Sequence, residues 1–390
     1  MTRASALWVT SAFYAALFLG LGAHLPFWPI WLSDWGLTDA EIGQMLGTAI
    51  FARIFGSTLV PSLADRYAIR RFTIAATAAL SAIVILLHLA VATKAALFAL
   101  TIAMALFSGG LIPTGEALGL RASQTYGFTY AHPRAVGSAA FLLVVLALGF
   151  VIDRFGPNPI PLVIIAALIV TGCLGMWHPG GGAAPSALDR ASPRDTIALF
   201  RNRVFWIFAT AFAFGQAAHG VFYTYSALHW REAGLSGQTI GALWSVGVVA
   251  EIVLMFVAGR AIVAWLGPTK SLIVAATAGV LRWSAMLSDP PLWMLWPLQS
   301  LHALTFALSL LAGMAFIAEA VPRRLAATAQ GVTTGLIGGS MMAVITIASG
   351  FAAPVWPPES LYWIAVIPAA AGLMLCALLD RLWQREPLSV

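Results

Sequence analysis

The stretch SVGVVAEIVLMFVAG (245–259) sets one carboxylate, Glu251, in the middle of an apolar run. Two arginines have comparable surroundings, Arg53 in GTAIFARIFG and Arg282 in AGVLRWSAM. Ionised groups in such runs are costly and are found where protons, ions or charged ligands are handled. For Glu251 the chemistry is reversible protonation, since a carboxylate in a low-dielectric setting is cheaper neutral than charged; the alternatives are a fixed pair with Arg282 or a permanently protonated side chain hydrogen-bonded to a neighbour. The planar fork of an arginine matches a carboxylate with two parallel hydrogen bonds. Arg53 is therefore either a clamp for a substrate carboxylate or the partner of a resident one. Two polar stripes at helical spacing accompany these charges. Gln299, His302, Phe306 and Ser309 form one, and Gln216, His219, Tyr223 and Ser226 the other. Both read as cavity lining, which makes His219, Tyr223 and Gln299 candidate substrate contacts. His24, Trp28 and Trp31 are cavity wall or interfacial aromatics, and His88, without a polar companion at helical spacing, reads as packing. The chain has no G-x-x-x-x-G-K pattern for phosphate, and PTGEALG (113–119) has no lysine to complete one. No His, Cys or carboxylate cluster has metal-ligand spacing. Neither an enzyme, nor a cofactor, nor a metal is expected.

The elements that carry these residues follow from composition. The 390 residues are 60% hydrophobic and 9% charged, with mean hydropathy +0.89. Soluble domains carry about 25% charged residues, so most of this chain faces lipid. Apolar runs of spanning length lie near 7–32, 40–65, 72–92, 96–120, 134–152, 160–177, 204–230, 238–263, 270–287, 292–318, 325–351 and 360–380. A span needs about 20 such residues as a helix, and barrel strands would alternate in polarity, which these runs do not. The expected fold is all-α transmembrane, with about twelve membrane helices in two pseudo-symmetric six-helix bundles. The net charge of +6 does not point to nucleic acid. Of the basic residues, only Lys94, Arg154 and Arg231 fall in alternate, outer loops; Arg53 and Arg282 lie within helices; the rest, Arg190 included, cluster on the other side. By the positive-inside rule both termini are cytoplasmic, and the bilayer is the partner. The first run is too long for a cleavable signal. Cys173 and Cys376 lie inside runs, so a structural disulfide is not expected.

One long segment, HPGGGAAPSALDRASPRD (178–195), has linker composition and separates six runs from six. The organisation is thus an N-terminal bundle (1–177), a cytoplasmic linker (178–203) and a C-terminal bundle (204–390). GLTDAEIGQMLGTAIFARI (36–54) aligns without gaps on GLSGQTIGALWSVGVVAEI (234–252) at a constant offset, and this pairs Arg53 with Glu251. Internal repeats of this kind mark secondary transporters, whose sites lie near the midplane between repeats. Glu251 is about 13 residues, roughly 20 Å, from its outer helix end, and Arg282 is roughly 10 Å shallower. Direct contact between them would need a long reach or a bridge.

The turn PSLADRYAIRR (61–71) resembles the major facilitator motif Gly-x-Leu-x-Asp-basic-x-Gly-x-basic-basic. Leu63, Asp65, Arg66, Arg70 and Arg71 match, while Pro61 and Ala68 replace the glycines. Asp65 is suited to cap a neighbouring helix while the arginines hold the inner leaflet as a gating motif. LPFWPIWL (25–32), GLTDAEIGQMLG (36–47), FYTYSALHW (222–230), IGALWSVGVVAEIV (240–253), RW (282–283) and LQSLHALTFA (298–307) resemble the 3-phenylpropionate permease branch of that superfamily, over nearly the whole chain. The resemblance implies a proton-coupled symporter in a cell inner membrane, importing a small aromatic carboxylate by alternating access. A proton-coupled sugar or nucleoside permease is the alternative, and a non-transporting sensor a more distant one. In the wider lactose-permease-like group an acid on the fourth helix and an arginine on the fifth bind substrate; Glu116 and Arg134 stand there, as ligand site or inner gate. The group's coupling residues correspond to Glu251, Arg282 and His302. Where the group has a tenth-helix glutamate, one turn beyond the histidine, this chain has Thr305, which leaves Glu251 as the proton carrier.

Overall fold

The computed structural model describes residues 1–181 and 193–388. The described residues form helices and turns without strands. The long helices are α1 (Arg3–Asp34), α2 (Asp39–Arg66), α3 (Arg70–His88), α4 (Lys94–Tyr126), α5 (Ala131–Phe155), α6 (Pro159–Met176), α7 (Arg203–Glu232), α8 (Gly237–Leu266), α9 (Pro268–Met286), α10 (Leu292–Ala320), α11 (Arg323–Ala352) and α12 (Pro358–Leu382). Eleven are long and apolar enough to cross a membrane. The other is α9, which has 19 residues, enough to span, but Lys270, Arg282 and its hydroxyl side chains dilute its apolarity. Part of the expected linker, residues 182–192 with Arg190, lies outside the described residues. Its last part is the short helix Pro193–Arg201, where Arg324 makes two hydrogen bonds to Asp195, at 3.0 and 3.2 Å.

The repeat seen in the sequence has a counterpart at the two helix starts. Gly36 and Gly234 both turn the chain in the left-handed region, at φ 104° and 85°, which only glycine enters without strain. Two residues later, Thr38 and Ser236 cap α2 and α8. The Thr38 hydroxyl accepts from the Glu41 N–H at 3.3 Å, and the Glu41 carboxylate accepts from the Thr38 N–H at 2.9 Å. The Ser236 hydroxyl accepts from the Thr239 N–H at 3.1 Å. Each helix therefore starts in the same register, and Arg53 and Glu251 each lie fourteen residues along (39 to 53, 237 to 251).

The chain packs as two compact units, Met1–Pro185 with Ser226–Ser245, and Ser186–Tyr225 with Val246–Val390. In the first, α1 is central: Phe13, Tyr14, Phe27, Trp28 and Ile30 are fully buried, and α1 packs on α5 and α6 while α2 packs on α4. The segment Ser226–Ser245 joins this unit through α5. A Cβ on Gly149 would lie 2.4 Å from the Gly237 carbonyl oxygen, and one on Gly241 would lie 2.6 Å from that of Val145, so the backbones approach as only glycines allow. Asp153 then accepts from the N–H groups of Gly237 and Gln238, at 2.5 and 3.0 Å, capping α8 from another helix. Arg231 and Asp34 stand 3.9 Å apart nearby.

At the α2–α3 turn, Ala68 adopts φ 57° where the family motif has glycine. The tight turn is thus kept without the glycine, at a cost in local strain. Asp65, suited by its position to cap a neighbouring helix, is ion-paired with Arg70 across the turn. Arg66 lies over the Tyr67 ring, 5.7 Å from its centre. Arg71 donates to the carbonyl oxygen of His178 at 2.6 Å. Burial, and then the Arg71 charge, pull the His178 imidazole down to about 3.

The second unit is built on aromatic stacking, with Phe208 on Phe316 at 4.1 Å and Trp383 against Phe316 at 4.6 Å. Three of its helices contain π turns: Leu254–Ala258 in α8, Ala303–Leu308 in α10 and Gly331–Gly338 in α11. Such turns add a residue to one loop of the helix and re-aim the side chains beside it.

Candidate functional site

In the second unit a buried polar cluster forms around Arg282. Its helix, α9, turns the guanidinium inward until the residue is 1% exposed. There it donates to Gln299 Oε1 at 2.7 Å, to Thr305 Oγ1 at 3.2 Å and to His302 Nδ1 at 3.3 Å. Rings of Phe222 and Trp283 flank the guanidinium at 4.9 and 4.5 Å, so cation–π attraction replaces part of the lost hydration. All three acceptors come from α10. Pro297 lies inside this helix, which is interrupted at Leu301, and the π turn begins directly after His302. This irregular stretch presents Gln299, His302 and Thr305 to one guanidinium.

Glu251 and Arg282 do not meet directly. His302 stands between them, with Nε2 3.7 Å from Glu251 Oε2 and Nδ1 toward Arg282. The depth difference read from the sequence is thus bridged by an imidazole. His219 is fully buried beside a break in α7 at Ala218. Its Nδ1 lies 3.0 Å from the Gln216 carbonyl oxygen and its Nε2 3.1 Å from Thr305 Oγ1. Its ring is edge-on to Trp283 and His302 at 5.2 and 5.4 Å, and Tyr223 follows at 5.7 Å. Glu251, Arg282, His302, His219, Tyr223 and Gln299 thus belong to one cluster. Arg282 Nε and Gln299 Nε2 are buried donors without a protein acceptor.

The first unit holds the remaining candidates. Glu116 and Arg134 form an ion pair at 3.1 Å, with Arg134 over the Phe18 ring at 4.2 Å. Tyr14 joins this group, its hydroxyl 2.8 Å from that of Tyr130. Arg53 packs against Gly109 of α4, where a Cβ would meet its Cγ at 3.2 Å. Among the described residues the Arg53 guanidinium has neither ion pair nor hydrogen bond. His24, Trp28 and Trp31 stack in a column at 5.5 and 4.7 Å. His88 closes the column edge-on to Trp28, bonded to the Val84 carbonyl and Thr101 at 2.7 and 3.2 Å. Sequence reasoning missed the parts of Thr305, Phe222 and Tyr14. A threonine one turn from His302 and an aromatic one residue before Tyr223 were the available signals.

Ionisable groups inside membrane spans mark functional sites, and the sequence names the class: residues 7–362 match the MFS_1 like family. The chain belongs to this family. As an MFS-type protein it is a membrane transporter for small molecules and not an enzyme. It is 28% identical to the probable 3-phenylpropionic acid transporter of Escherichia coli (strain K12), over 96% of this chain and 98% of that protein. It is 24% identical to the maltose permease of Geobacillus stearothermophilus, over 95% and 93%. The fold is similar to that of the nucleoside transporter NupG, with a TM-score of 0.78 over 97% of this chain and 99% of that one, at 14% identity.

Proposed function

We propose that this transporter is a proton-coupled symporter that imports a small aromatic carboxylate, resembling 3-phenylpropionate, across a cell inner membrane by alternating access, with both termini cytoplasmic. The observation that carries the reading is a charge imbalance inside the spans. Arg53 and Arg282 make no ion pair among the described residues, the Glu116–Arg134 pair is neutral, and Glu251 is the one carboxylate beside the Arg282 cluster. An unpaired guanidinium in a span costs several kcal/mol or more, and a substrate carboxylate offsets that cost only while bound. The name of the Escherichia coli relative supports the same substrate class. Glu251 takes the proton, Arg282 and His302 hold it in place, Arg53 clamps the anion, and His219, Tyr223 and Gln299 shape the cavity. Asp65, Arg66, Arg70 and Arg71 form the inner gating turn.

A sugar or nucleoside substrate is the second reading, favoured by the Glu116–Arg134 pair and by the names of the maltose and nucleoside transporters. Competition binding separates the two. Purified protein should bind 3-phenylpropionate well and its amide poorly, and Arg53→Lys should weaken the acid sharply, because the charge remains but the fork is lost. Equal binding of acid and amide, or a preference for a nucleoside, would overturn the carboxylate assignment.

A further inference from the structure

The hydrogen bonds of the Arg282 cluster have a direction that fixes where its protons sit. A guanidinium only donates, so each group it touches accepts. His302 Nδ1, 3.3 Å from Arg282 Nη1, carries no proton, and the neutral ring holds its proton on Nε2, facing Glu251. In His219 the order is reversed. Its Nδ1 meets a carbonyl oxygen, which only accepts, so the proton is on Nδ1 and Nε2 is an acceptor. The Thr305 hydroxyl, which already receives from Arg282, has two acceptors for its single proton, that Nε2 at 3.1 Å and the His302 carbonyl oxygen at 3.5 Å, and the shorter contact takes it. Thr305 is thus the link through which Arg282 reaches His219, and it occupies one of the Arg282 donors.

We infer that Thr305 is a positioning residue for proton coupling: its hydroxyl holds Arg282 against His302 and away from Glu251, and links Arg282 to His219, whose tautomer is opposite to that of His302. The inference rests on the proton-coupled reading above. Without the hydroxyl, Arg282 Nη1 loses an acceptor and turns toward Glu251, the carboxylate of the cluster. A direct ion pair would keep Glu251 ionised to lower pH. Among the described residues, ionisable groups that also face these two include Tyr223, beside both, and Tyr362 and His219, beside Arg282; these three are not carboxylates.

The test compares Thr305→Val, which removes the hydroxyl at nearly constant shape, with Thr305→Ser, which restores it. In proteoliposomes, the pH midpoint of 3-phenylpropionate uptake should fall by about one unit in Thr305→Val, a tenfold change in proton activity, and return in Thr305→Ser. A wild-type midpoint in Thr305→Val, or a serine variant shifted as far as the valine one, would overturn the inference. A second measurement needs no substrate and leaves Thr305 in place. Histidine-labelled wild-type protein, with signals assigned by loss in His219→Gln and His302→Gln, should show His219 as the Nδ1–H tautomer and His302 as Nε2–H by ring nitrogen shifts. The same tautomer in both rings would sink it. Wild-type uptake that ignores pH would remove the proton-coupled reading instead, and the tautomer result would still decide the geometry.

Discussion

At the residue scale, Glu251 Oε2 and His302 Nε2 face each other at 3.7 Å, and in the proposed mechanism the carboxylate takes the proton while the imidazole holds it in place. Glu251→Gln imitates the protonated state permanently. Substrate exchange across vesicles should therefore continue while accumulation driven by a pH gradient disappears; accumulation at the wild-type level would remove Glu251 as the proton carrier. Outside the spans, His178 supplies a pH signature of the fold itself. Its imidazole sits at about 3, held down by burial and then by Arg71, against about 6.5 in an unfolded chain. The unfolded state binds the proton and the fold refuses it, so this contribution is complete above about 6.5 and is lost as pH falls toward 3. The thermal midpoint should drop less between pH 7.5 and pH 5 in His178→Asn than in wild type. Ala68 carries the opposite kind of strain, a side chain in the left-handed region. Ala68→Gly should raise stability by about 0.5–1 kcal/mol, read as a higher melting temperature.

At the element scale, the start of α8 is fixed from two sides. Its own residues cap it, through Ser236, and Asp153 of α5 receives two further N–H groups at its first turn. Loss of a helix cap costs about 1 kcal/mol, so Asp153→Ala should lower the melting temperature, with Asp153→Asn in between because it keeps one acceptor oxygen. Equal stability of all three proteins would mean that the glycine contacts alone seat the segment. Those contacts have a sharper expectation. Gly241→Val places a side chain where a Cβ already lies 2.6 Å from the Val145 carbonyl oxygen, and should loosen Ser226–Ser245 from the first unit. Faster thiol labelling of Val145→Cys, a position fully buried in the native packing, in a background without Cys173 and Cys376, would register it.

At the scale of the whole molecule, two helices with one register carry opposite charges at one repeat position, Arg53 and Glu251. In the proposed mechanism these two positions divide the work, anion recognition at Arg53 and proton binding at Glu251. If the proposed orientation is right, a membrane-impermeant thiol reagent added to intact cells should label Arg154→Cys and not Arg324→Cys. The reverse pattern would invert the topology and the proposed direction of the gating turn.

The membrane class, the helix positions and the charged residues were legible in the sequence because each rests on local composition: apolar length, glycine and cap residues, and charges too costly to occur in spans by accident. The turn glycines Gly36 and Gly234 even announced the repeat register. The partners of those charges were not legible. His302 between Glu251 and Arg282, Thr305 between Arg282 and His219, and Asp153 on the first turn of α8 join residues far apart in the chain. The π turn after His302 also shifts side chains off the regular helical spacing that sequence reasoning assumes. Sequence alone determined which groups pay the desolvation penalty of the bilayer; only the packing of helices decided which donors and acceptors meet to offset it, because hydrogen bonds are set by distances of a few tenths of an ångström and not by residue type.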